Sequence, residues 1–172
     1  MKKYALIAVC WAVAVFTGGC GYTFSSLGHP QINSVAIAPV TNETLTYNAA
    51  SVLRNQLCER FMVDSHLKLT NKSKADCIVY ARVTQVKMID EDYESIARND
   101  DDFIPSEWRM LVAVQYSVII PGRAKPLISN RSVVGETTIL NDPDLEIVKR
   151  NGLKQALNEA AKKIVAEFSE NW

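Results

Sequence analysis

The chain has 172 residues, 48% of them hydrophobic and 22% charged, with 19 basic residues balanced by 19 acidic ones. That length suits one ordinary domain with a sizeable core, and the balanced charge excludes the global basic field that attracts nucleic acid. Two histidines and four cysteines without a Cys-x-x-Cys pair supply no metal-ligand cluster.

Lys2 and Lys3 form a basic start, Tyr4 to Phe16 is an uncharged and mostly apolar core, and Thr17-Gly18-Gly19 is a run of small residues ending at Cys20. This is the pattern of a secretory signal rather than of a buried helix. Its 13 core residues reach roughly 20 Å as a helix, short of the roughly 30 Å hydrocarbon slab, so permanent spanning is disfavoured. A cysteine after two glycines at the end of such a core is similar to a bacterial lipobox, with Thr17 where Leu is usual. Cys20 is therefore the expected lipidation site, and its acyl chains would supply the two or more needed for stable anchoring. Gly21 rather than Asp follows it, which by resemblance to proteobacterial sorting rules favours the outer membrane. The expected organisation is a signal peptide over 1–19, a lipidated terminus and linker over 20–33, and one domain over 34–172. Without the first 19 residues the chain keeps 17 Lys and Arg against 19 Asp and Glu, a net charge of −2.

Residues 23–33 are polar, are broken by Gly28 and Pro30, and suit a tether; His29 within them reads as solvent-facing. Ser34 to Val40 is short, apolar and β-branched, a buried strand whose Pro39 must lie at an edge or where the chain leaves the sheet. From Leu45 to Val63 the period changes, with Ala49, Leu53, Leu57 and Phe61 forming one apolar stripe of an amphipathic helix. Cys77, Val79, Ala81 and Val83 alternate with polar residues as a half-buried strand. Cys58 and Cys77 both fall at core positions; a disulfide between them is possible in an oxidising periplasm, and so is the free state common for buried cysteine.

Residues 89–105 carry seven acidic side chains and read as a solvated surface excursion. Asp100, Asp101 and Asp102 lack the alternate spacing, central Gly and terminal Glu of a calcium loop. Trp108 to Ile120 alternates with period two, Pro121-Gly122 marks a turn, and Leu127 to Leu140 returns, so an antiparallel hairpin is expected across Pro121 to Pro126. Asn141-Asp142-Pro143 announces a second helix, whose stripe is Leu153, Leu157, Ala160, Ile164 and Phe168. Gly152 interrupts it, either for close packing on the sheet or at a bend. The element order β-α-β-β-β-α predicts an α+β two-layer domain: a four-stranded, mostly antiparallel sheet with both helices on one face.

The sequence has no Gly-x-Ser-x-Gly elbow, no phosphate-binding glycine loop and no His-Glu-x-x-His. Both histidines lie in poorly patterned segments, which leaves a nucleophile without its usual base. No enzyme activity, catalytic residue, cofactor or metal is expected. Cys20-Gly21-Tyr22, the strand and turn Val35 to Thr44, a helix ending in Phe61, and Ala75-Asp76 opening a strand together resemble the lipopolysaccharide-assembly lipoprotein family LptE, with Val40 where Phe is common. The resemblance implies an outer-membrane lipoprotein lodged in the lumen of a β-barrel, LptD, that assists lipopolysaccharide insertion. Contact with lipopolysaccharide phosphates would use Arg or Lys, and the candidates are Arg82, Lys87, Arg123, Lys125 and Arg131. The alternatives are another envelope lipoprotein of similar fold, acting on a cell-wall synthase or in a secretion channel, and a ligand-binding or enzymatic domain that merely carries an anchor.

Overall fold

In a computed structural model, residues 32–64, 67–90, 107–140 and 144–170 are described. The signal and Cys20, both histidines, the acidic stretch beyond Asp90 and the Asn141-Asp142-Pro143 signal lie outside them. The first strand, β1, is Ser34–Ile37 and is followed by the two-residue strand β2, Thr41–Asn42. Both pair in parallel with the long strand β4, Cys77–Asp90. Pro39, which has no N–H to give, sits in the gap between them, while the Ala38 and Glu43 N–H groups resume the ladder to the Val79 and Val83 carbonyls. Helix α1, Ala49–Asp64, leads to the two-residue strand β3, Lys68–Leu69, which pairs in parallel with β1. Strands β5, Glu107–Ile119, and β6, Ile128–Leu140, form the expected antiparallel hairpin, and helix α2, Leu145–Glu170, ends the described chain.

The architecture is the two-layer α+β class read from the sequence, with a correction to the sheet. Six strands replace four, in the order β3-β1-β4-β5-β6 with β2 also on β4. The additions are two-residue strands, too short for any periodicity to announce.

Alternation places the core. Met110, Val112, Val114, Tyr116 and Val118 of β5 are buried on the helix side, beside Cys77, Val79, Ala81 and Val83 of β4. The α1 stripe of Ala49, Leu53, Leu57 and Phe61 is fully buried, and α2 contributes Leu157, Ala160 and Ile164. Phe61 and Phe168 meet edge to face at 5.7 Å, joining the helices. Among the described residues no helix is long and apolar enough to cross a membrane.

Two helix starts differ from the expectation for one reason, side-chain capping. Asn42 Oδ1 accepts the Thr44 N–H at 3.0 Å and hydroxyl at 2.7 Å, and Asn42 Nδ2 donates to the Thr46 carbonyl at 2.8 Å. This Asx turn, with Asn48 at φ 61°, keeps residues 44–48 out of the helix, which begins at Ala49 rather than Leu45. At α2, Asp144 Oδ1 accepts the Ile147 N–H at 3.2 Å, so the cap is Asp144.

Gly152 is resolved in favour of close packing. A Cβ there would lie 2.8 Å from Ile139 Cδ1. Gly135, which the sequence reading passed over, is tighter: a Cβ would lie 1.9 Å from the Ala156 carbonyl oxygen and 2.7 Å from the Ala160 nitrogen. There the α2 backbone rides directly on β6.

Candidate functional site

With both helices on one side, the other side of β4, β5 and β6 is open among the described residues. Strands of 13 and 14 residues at about 3.4 Å per residue make this surface about 45 Å long. At one end is the Pro121–Pro126 turn. The start of β1 lies there too, since Val35 pairs with Cys77 and Ile78 with Ile119. An open cleft of about 410 Å³ between them is lined by Ile32, Ala75, Asp76 and Ile120 to Arg123.

Asp76 fastens that end. Its Oδ2 accepts the Asn33 N–H at 3.0 Å, the Ser34 N–H at 2.9 Å and the Ser34 hydroxyl at 2.7 Å, and the Asp76 N–H returns a bond to Ser34 Oγ at 3.1 Å. The Ser34 hydroxyl and the backbone N–H donors hold its carboxyl below the usual carboxylate range. The Ala75-Asp76 pair singled out in the sequence thus joins the starts of β1 and β4. Beside it, burial and then the Asp76 charge push the Cys77 thiol up to about 12. Cys58 and Cys77 are both free thiols, so the possible disulfide is not formed in this structure. Among the described residues no group of His, Cys, Asp and Glu is placed to hold a metal.

Near the turn end, the open side is covered by a polar network. Arg82 donates through Nε to Gln115 Oε1 at 2.8 Å, its Nη2 reaches the same oxygen, and its Nη1 pairs with Glu43 at 3.3 Å. The Asn130 N–H donates to Ser117 Oγ at 2.9 Å, and Gln115 Nε2 donates to the Asn130 carbonyl at 3.5 Å. Below it, Ile78, Ala36, Ala38 and Ala75 make a small buried apolar cluster flanked by Tyr80 and Ile119.

The structure does not gather the five basic candidates into one site. Arg82 and Lys87 lie exposed on the open side, at the registers of Gln115 and Leu111. Arg123 and Lys125 are exposed on the turn. Arg131 is on the other side of the sheet. The pairing of β5 with β6 shifts register between Tyr116 and Val118, beside Asn130 at φ 43°, so Arg131 lies opposite Tyr116 and faces the helices. There it pairs with Glu167 at 3.5 Å, which also accepts the Tyr116 hydroxyl at 2.6 Å. A strict period-two reading cannot show that bulge.

Among the described residues β6 is the long edge strand of the sheet, the two-residue β3 forming the other edge. Lys163 of α2 donates to the Val134 carbonyl of β6 at 2.7 Å, covering part of the exposed ladder.

No protein-family model and no curated protein matches the chain. Solved structures do. The PelC dodecamer from Paraburkholderia phytofirmans is similar with 13% identity and a TM-score of 0.51, over 81% of this chain and 89% of that one. Protein XCC0632 from Xanthomonas campestris gives 12% identity and a TM-score of 0.50, over 81% and 88%. The rare lipoprotein B from Shewanella oneidensis gives 16% identity and a TM-score of 0.44, over 79% and 95%. At such identities the first two show a shared fold.

Proposed function

We propose that the protein is a lipid-anchored protein of the bacterial envelope that sits within an LptD-like outer-membrane β-barrel and assists the assembly of lipopolysaccharide at the cell surface. The observation that carries this reading is the helix-free side of the sheet together with the unpaired edge of β6. A domain lodged in a polar lumen needs a hydrophilic outer surface and a backbone edge for the wall to meet. The Arg82 network supplies the first and β6 the second. The lipobox-like Cys20 and the sequence resemblance to LptE supply the compartment and the partner.

Photo-reactive residues at Ser132, Val134 and Glu136 should crosslink in cells to a large barrel protein, while probes at Lys154 and Lys162 on the outer surface of α2 should do so far less. Crosslinks from α2 alone would overturn the proposed orientation.

The dodecamer formed by PelC favours a second reading, in which copies of this chain assemble into a homo-oligomer as a channel subunit. The mass of the detergent-extracted complex separates the two, because a homo-oligomer is a multiple of one chain and the plug reading requires a second polypeptide.

A further inference from the structure

The two ends of the sheet differ in charge. At the turn end, Lys68, Lys72, Lys74, Arg123 and Lys125 are all exposed. Lys68 stands opposite Ser34 at the start of β1, and Lys74 immediately precedes the cleft residue Ala75. Lys72 reaches onto the open side, its Nζ 5.3 Å from the centre of the Tyr80 ring. No ion pair among the described residues neutralises any of the five. Met62 and Val63, at the end of α1 just before β3, are 63% and 72% exposed. The far end carries Glu107, Asp144 and Glu146 beside Arg109, Lys149 and Arg150, with Lys149 paired to Glu146 at 3.3 Å, and the sequence between Asp90 and Glu107 holds six acidic residues against one Arg.

We propose that the turn end is a bilayer-docking face, on which Lys68, Lys72, Lys74, Arg123 and Lys125 meet the phosphates of anionic glycerophospholipids while Met62 and Val63 enter the headgroup layer. Charge complementarity selects this occupant, since bases spread over one end and flanking exposed apolar residues match an anionic interface. So does the path of the chain. The twelve residues from Cys20 to Gln31 join the domain at Ile32, on this same end, and fully extended they span at most about 40 Å. The far end is also apolar, with Leu45, Tyr47, Leu140 and Ile147 exposed, but its acids would be repelled by the same lipids. Docking therefore fixes the orientation: turn end on the membrane, sheet upright, acidic end away. The inference rests on the lipid-anchored reading and not on the barrel partner.

The test reconstitutes the full anchored protein in vesicles of phosphatidylcholine alone and of phosphatidylcholine with phosphatidylglycerol, and follows amide hydrogen exchange. Docking predicts severalfold slower exchange over residues 71–76 and 121–127 on the anionic vesicles only, with the protection lost in high salt. The Lys74→Glu, Arg123→Glu, Lys125→Glu triple variant changes only exposed side chains and should lose the protection while exchange in the core stays unchanged. Equal exchange on both vesicles overturns the proposal, as does protection by dispersed lipopolysaccharide without protection by phosphatidylglycerol. Failure to stay with either vesicle overturns the anchored reading itself and is told apart by flotation.

Discussion

Asp76 shows how one side chain joins two strands that are distant in sequence. Its carboxylate satisfies two backbone N–H groups and a hydroxyl at the start of β1. Those donors favour the charged form and lower its folded pKa, so its contribution is present above the unfolded carboxylate pKa and is lost as pH falls through the folded value. Asp76→Asn should therefore lower the urea midpoint at neutral pH and flatten its decline below about pH 4; a variant with the wild-type acid profile would contradict this role. The basic candidates divide at the same scale. Arg82 and Arg131 are held by Glu43 and Glu167, whereas Arg123 and Lys125 project from the turn. Replacing both of the latter with Ala should weaken lipopolysaccharide binding about tenfold, the loss of one or two charge-assisted contacts, and leave association with a barrel intact. Unchanged binding of purified lipopolysaccharide would remove the turn from the lipid-binding surface.

At the scale of elements, two glycines in the same layer should behave oppositely. Gly135→Ala drives a methyl into the Ala156 and Ala160 backbone of α2, and should cost about 3 kcal/mol or more. Gly152→Ala meets the far end of the Ile139 side chain, which can turn aside, and gains about 1 kcal/mol of helix propensity, so it should be near neutral. Chemical denaturation of the two variants measures both. The long elements were legible in the sequence because each carries a full period: the α1 stripe of Ala49, Leu53, Leu57 and Phe61, and the alternation of β5 from Met110 to Val118, are buried as their spacing indicates. What escaped was nonlocal. Gly135 is small because of a helix that begins ten residues later, β2 and β3 exist only through their partners, and Arg131 changes side through a shift in the pairing of β5 with β6. In the same way the sequence offered basic residues one at a time and could not say that Lys68, Lys72 and Lys74 share an end with Arg123 and Lys125.

For the whole molecule, the fold sorts the surface by direction. Among the described residues, helices close one side of the sheet, the other side stays open, β6 leaves an edge, and the domain begins at Ile32 on the turn end. Such a polarised domain is suited to an oriented place between a membrane and a protein partner. The measurement that tests this most directly is purification of the tagged full-length protein from detergent-solubilised outer membranes, with mass spectrometry of the complex and of the amino terminus. The account predicts an acylated Cys20 and a stoichiometric large β-barrel partner. An unmodified terminus, or a protein recovered alone or only as an oligomer of its own copies, would contradict it.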